Sequence, residues 1–109
     1  MRYFYTESER TDTCYFEFQK GDWSEQSYWK PDSLLMEELD YENCFYDVVV
    51  SVVPDHDLCG VTTITAEQWV VIREKAAKMG GHTLAAVMEA DGWVQECFRD
   101  YDVFTIIGM

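Results

Sequence analysis

A chain of 109 residues has the length of one domain, and 48% hydrophobic with 16% aromatic content argues against disorder. Its formal net charge of −13, from 21 acidic and 8 basic side chains, disfavours direct contact with nucleic acid or anionic lipid and favours basic surfaces. The charge is uneven: Met1 to Asp57 holds fourteen acids against four bases, and Leu58 to Met109 holds seven against four.

The opening MRYFYTESER has no apolar core of signal-peptide length, and the longest apolar stretch, Val48 to Val53, is strand-sized. A cytoplasmic protein is the expectation. Arg2 to Glu7 and Thr13 to Gln19 are rich in aromatic and β-branched residues, and SERTD between them is turn-forming, which predicts an N-terminal β-hairpin. The second run alternates, with Cys14, Phe16 and Phe18 on one side and Tyr15, Glu17 and Gln19 on the other. GDWSEQSYWKPD then reads as a loop with aromatic anchors at Trp23, Tyr28 and Trp29.

Ser33 offers an N-cap to a short helix over Leu34 to Asp40, with Leu35 and Leu39 facing the core together. Cys44 to Val53, CFYDVVVSVV, is nearly continuously apolar and predicts a central strand with both faces covered. Pro54 ends it, DHDLCG turns the chain, and VTTI adds a short strand. Thr65 and Gln68 fit a capping box for a helix that presents Trp69, Ile72, Ala76 and Met79 on one face and closes at Gly80-Gly81. A second helix from Thr83 to about Arg99 buries Leu84, Val87, Met88, Val94, Cys97 and Phe98, with Asp91-Gly92 as a kink. DVFTIIG, Asp102 to Gly108, closes the chain as a strand. The expected fold is a single α+β domain over 1–109. Its sheet is mainly antiparallel, with the two C-terminal helices packed on one face.

Cys14, Cys44, Cys59 and Cys97 form no CxxC pair, so zinc-ribbon and thioredoxin-type motifs are unsupported, and buried thiols are the expectation. No P-loop, GxGxxG, GxSxG or HExxH pattern occurs, and no cofactor, metal or catalytic residue is assigned. Asp55, His56, Asp57 and Cys59 are the nearest approach to a catalytic cluster, but residues so close in a turn rarely converge, and a solvated turn is the simpler reading. His82, beside Gly81, reads as a surface residue.

What stands out is charge. Pro31 to Ile72 contains nine acids and no base, and DSLLMEELDYE holds five of them. The bland reading is a solvated face. The sharper one is a surface where Glu25, Asp32, Glu37, Glu38, Asp40 and Glu42 steer a basic partner while Trp23, Trp29 and Tyr41 anchor it.

In size, charge and architecture, though without a diagnostic motif, the chain resembles bacterial toxin-immunity proteins. The resemblance implies a non-enzymatic inhibitor of a basic toxin domain, typically a nuclease. Phage-type inhibitors that mimic nucleic acid share the same charge logic. An acidic adaptor and a small enzyme using the Asp55–Cys59 turn are the alternatives from other classes.

Overall fold

The computed structural model describes residues 2–11, 13–23 and 27–108. It is an α+β fold built on a five-stranded antiparallel sheet in the order β1-β3-β2-β5-β4. The strands are β1 (Phe4–Tyr5), β2 (Tyr15–Lys20), β3 (Leu34–Glu37), β4 (Val61–Thr65) and β5 (Val103–Ile107). Helical chain runs Glu38–Asp40 (α1), through a π-helical turn Tyr41–Phe45, into Tyr46–Val52 (α2). Ala66–Met79 (α3) and Gly81–Asp100 (α4) follow β4.

Strand alternation sorts side chains onto two faces. Phe4, Phe16, Phe18, Met36, Ile64, Phe104 and Ile106 form one core with Val48, Val49, Trp69, Ile72, Ala76, Ala90, Val94 and Cys97 of the helices. The opposite face of β2, carrying Tyr15, Glu17 and Gln19, is buried as well: residues 27–33 bond to Gln19 and Glu17, and Tyr15 packs against Tyr5.

The expected hairpin does not form. β1 and β2 both pair with β3, which lies between them, as Phe4↔Met36 and Phe16↔Met36 show. Ser8 and Glu9, the start of SERTD, join Glu7 in a 3-10 turn in which Thr6 donates its N–H and hydroxyl to the Glu9 carboxylate. Leu34 to Glu37 is strand rather than helix, so Ser33 caps nothing. Its hydroxyl donates to Glu17 instead.

The largest departure is CFYDVVVSVV, which is helical. Tyr41, Cys44, Phe45, Val48 and Val49 are buried at spacings of three, one, three and one, which is the stripe of a core-facing helix. Val50 is half-buried and Ser51 exposed. β-Branched residues disfavour a helix by only a few tenths of a kcal/mol each, and burying the stripe outweighs that.

The C-terminal half follows the sequence more closely. Thr65 accepts from the Gln68 N–H and Gln68 accepts from the Thr65 N–H, closing the capping box of α3. Gly80, at φ 66°, ends it in a conformation that costs a glycine little. Asp91-Gly92 does not split α4, which runs unbroken from Gly81 to Asp100; Asp91 accepts from the Trp69 indole at 2.8 Å and ties the two helices together. Met79 and Met88 are exposed, and Leu84 is half-buried, as the stripe of each helix is narrower than its apolar composition. Among the described residues no helix is long and apolar enough to cross a membrane.

The helix over 46–52 makes a sharp prediction. Val49→Asp places an unpaired charge in the core and is expected to cost several kcal/mol, ~3–5. Val50→Asp is expected to cost about 1 kcal/mol or less, since it reaches the helix flank. Urea unfolding of both variants measures the contrast, and equal loss would contradict the helical placement.

Candidate partner-binding surface

The proposed contact residues do not form one stripe. Asp32 precedes β3 and Glu37 ends it, so the extended strand separates them by roughly 17 Å. Two groups result, at opposite ends of the sheet.

The first group belongs to the loop before β3. Glu17, with none of its surface exposed, accepts from the Trp29 N–H (2.9 Å), the Lys30 N–H (3.0 Å) and the Ser33 hydroxyl (2.7 Å). Such donors stabilise a buried carboxylate in place of a counter-charge. Trp29 sits at φ 59°, a rare conformation for a bulky residue, and the bond from its N–H to Glu17 holds it there. The Arg10 guanidinium stacks 4.3 Å from the centre of its ring. Trp23 donates its indole N–H to the Ser27 carbonyl and packs its ring against Tyr28. Trp23 and Trp29 are thus half-buried anchors of the loop itself, and Tyr28 is the aromatic that faces solvent. Asp32 is exposed, while its backbone carbonyl accepts from the Trp93 indole at 2.8 Å. Glu25 lies outside the described residues.

The second group, Glu37, Glu38, Asp40 and Glu42, follows the chain through the junction of β3 and α1; Glu37 and Glu38 share a cleft with Leu39, whereas Asp40 lines another with Arg2 and His82. These carboxylates crowd the start of a helical run, not its end, which the helix dipole favours by ~0.3–1 kcal/mol each. Glu37 accepts from the Tyr5 hydroxyl at 3.0 Å. That bond, with the nearby Glu37 charge, holds the Tyr5 phenol above its ordinary range. Among the described residues, Glu38, Asp40 and Glu42 make no side-chain hydrogen bond or ion pair. Leu39, expected in the core beside Leu35, is 71% exposed, while Leu35 is wholly buried. It borders a shallow cleft of about 320 Å³ lined also by Thr11, Cys14, Tyr15, Glu37 and Glu38.

Tyr41 is not a contact residue. It is fully buried, stacked on Phe16 at 3.9 Å, and its hydroxyl meets His56 Nε2 at 2.6 Å. It stands two positions beyond Leu39 in the helical run, about 200° around it, so the turn that exposes Leu39 sends Tyr41 inward.

His56 corrects the expectation of a solvated turn. It is 5% exposed, and its second ring nitrogen meets the Thr62 hydroxyl at 2.7 Å. Burial pushes its pKa below the ordinary histidine range, against a smaller upward pull from Asp57. Asp57 caps the turn by accepting from the Cys59 N–H. His82 is exposed as expected, and its Nδ1 is paired with the Tyr3 hydroxyl. Of the cysteines, Cys44 and Cys97 are buried, and burial raises both thiols. Cys14 and Cys59 are exposed, contrary to expectation. Among the described residues no three His, Cys, Asp or Glu side chains are grouped to hold a metal ion.

Comparison with protein-family models, curated sequences and solved structures found no match.

Glu17→Gln presents an amide to donors that require an acceptor. It is expected to cost about 2–3 kcal/mol and to loosen the loop, measured by denaturation and by tryptophan fluorescence and protease cleavage near 27–30. His56 predicts a pH dependence. Its pKa is lowered in the folded state, so the unfolded chain binds the extra proton. The stability it contributes is therefore complete above the unfolded value of about 6.5 and declines as pH falls below it. His56→Gln is expected to remove this component of the slope between about pH 7.5 and 5.5, as followed by urea unfolding.

Proposed function

We propose that this protein is a non-enzymatic inhibitor that binds a basic partner protein, in the concrete case a nuclease-type bacterial toxin. The observation that carries the reading is the β3–α1 junction. Glu38, Asp40 and Glu42 are committed to no partner within the described chain, and Leu39 stands exposed among them. Leu39 shares a shallow cleft with Glu37 and Glu38, so an apolar contact point and negative charge lie side by side there. That arrangement suits an interface, where an apolar anchor supplies affinity and surrounding charge supplies steering.

Several internal features support the same reading. The acids that serve the fold, such as Glu17, Glu89 and Asp91, are satisfied by N–H or hydroxyl donors. The surplus at the junction has no such duty. A stoichiometric inhibitor also needs no prepared acid or base, and His56 has both ring nitrogens engaged by Tyr41 and Thr62. The bacterial immunity role, a cytoplasmic site of action and the identity of the partner as a toxin rest on the whole-chain resemblance in size and charge. Nucleic-acid mimicry is the second reading; the alternation of carboxylates with an exposed leucine favours a protein groove over a phosphate channel.

The experiment is a salt series of association kinetics with the product of the adjacent gene. The on-rate is expected to fall steeply above about 0.1 M salt, where the Debye length is ~10 Å. Reversing Glu37, Glu38, Asp40 and Glu42 to Lys is expected to slow association at least about tenfold at low salt while leaving the melting transition cooperative. Leu39→Ala is expected to act on dissociation instead. Binding indifferent to salt, to the reversal and to Leu39 would reduce this junction to a solvated face.

A further inference from the structure

The sheet has two edges, and the chain treats them differently. β1 is only two residues long, and a carboxylate covers its start: Glu89 accepts from the Phe4 N–H at 3.1 Å and from the N–H of the preceding Tyr3 at 3.0 Å. Short length and a covering carboxylate are recognised ways of closing an edge. At the far side, β4 is five residues long, VTTIT, and carries no charge, proline or glycine. Its register with β5 runs unbroken from Val61↔Ile107 to Thr65↔Val103, so no bulge twists it away.

Which backbone groups are open follows from the ladder. Gly108 donates to the Gly60 carbonyl at 2.8 Å, which makes 60 and 108 a hydrogen-bonded pair. Such pairs alternate along an antiparallel ladder. Thr62 and Ile64 therefore bond to β5, and the N–H and C=O of Val61 and Thr63 point outward. The Thr65 N–H, next in the outward series, is taken by Gln68. Among the described residues, nothing bonds to the outward groups of Val61 and Thr63. Both residues are exposed, Val61 at 46%.

The ends of this edge are acidic. Asp55 and Asp57 precede it, both exposed. Glu67 and Asp102 meet at its other end, where they line a single cavity of about 350 Å³ with Thr65 and Tyr101. A second copy paired antiparallel on β4 would set Asp55 and Asp57 of one chain against Glu67 and Asp102 of the other, at both ends. Like charges so placed oppose that pairing.

We propose that β4 is a strand-addition site for an extended segment of a partner protein, a segment uncharged at its centre and flanked by lysine or arginine. Main-chain hydrogen bonds to Val61 and Thr63 supply the pairing, and the two acidic ends select the flanks. The proposal rests on the reading of a basic partner. It places a second contact at the end of the sheet that also carries Glu37: β3, β2, β5 and β4 alternate in direction, so the end of β3 and the start of β4 share one rim, about 14 Å apart.

The test uses the full chain and a short synthetic peptide of alternating valine and threonine flanked by lysine pairs, with backbone amide exchange followed by NMR. The peptide is expected to slow exchange at Val61 and Thr63 by about tenfold or more, leaving Thr62 and Ile64 little changed. The same peptide with glutamate flanks is expected to give no protection. Thr63→Pro removes an outward N–H that has no internal partner, so it is expected to fold and to lose the effect. Absence of protection with the lysine peptide in the unaltered chain overturns the proposal, as does equal protection by the glutamate peptide. Protection that grows with protein concentration in the absence of peptide assigns the edge to a second copy and overturns it too. Reversal of Glu37, Glu38, Asp40 and Glu42 to Lys is expected to leave peptide protection in place, so failure at the β3–α1 junction and failure at β4 are read separately.

Discussion

One buried carboxylate organises the face of the sheet that the helices do not cover. Glu17 faces away from the helical layer and, on a half-buried strand, would meet water. Instead it accepts from Trp29, Lys30 and Ser33, which pulls the loop before β3 down over the sheet. Gln19 and Thr105 extend the same attachment, donating to the Ser27 and Gly21 carbonyls. Loss of Glu17 would leave several donors without an acceptor in a dry site, which is costlier than never having built the contact. Trp23 and Trp29 are therefore wall rather than display, and Tyr28 alone of the loop's described aromatics faces solvent.

That economy recurs. Glu89 closes β1, and Asp91 joins α3 to α4 through the Trp69 indole. A chain with 8 cations for 21 acids has few salt bridges to spend on its interior: Glu17 and Glu89 accept from backbone N–H groups, and Asp91 adds an ion pair with Arg73 to its bond from the Trp69 indole. Much of the negative charge thus has a structural role that composition conceals. What remains at the β3–α1 junction is a smaller surplus than the composition advertises, with Leu39 exposed beside it.

The legible parts of the chain were those whose signal is local. The alternation of β2, the Thr65–Gln68 box, the glycine at the end of α3 and the apolar strand β5 all lie where the sequence puts them. Cys44 to Val53 was misleading because a short apolar run is compatible with either period; extending the window back to Tyr41 would have exposed the helical spacing. The pairing of β1 with β3 is set by non-local contacts, which carry no signature in either strand. Leu39 and Tyr41 exchanged roles for one reason. With β3 ending at Glu37, the helical run begins later than Ser33 implies, and its rotation turns Leu39 outward and Tyr41 inward. His56 left no signal at all, since a buried histidine in a charged turn is defined by a tyrosine fifteen positions earlier.

That histidine also bears on how the two surfaces act together. Tyr41 belongs to the helical run that carries the carboxylates, and Thr62 belongs to the open edge strand. The chain from the Tyr41 hydroxyl through the His56 ring to the Thr62 hydroxyl joins them inside the core. Hydrogen bonds in such a setting are strong because the surroundings are dry, and rigid because each partner is packed. The acidic junction and the β4 edge are thus tied to one another through the core, an arrangement that would lower the ordering cost of a ligand spanning both.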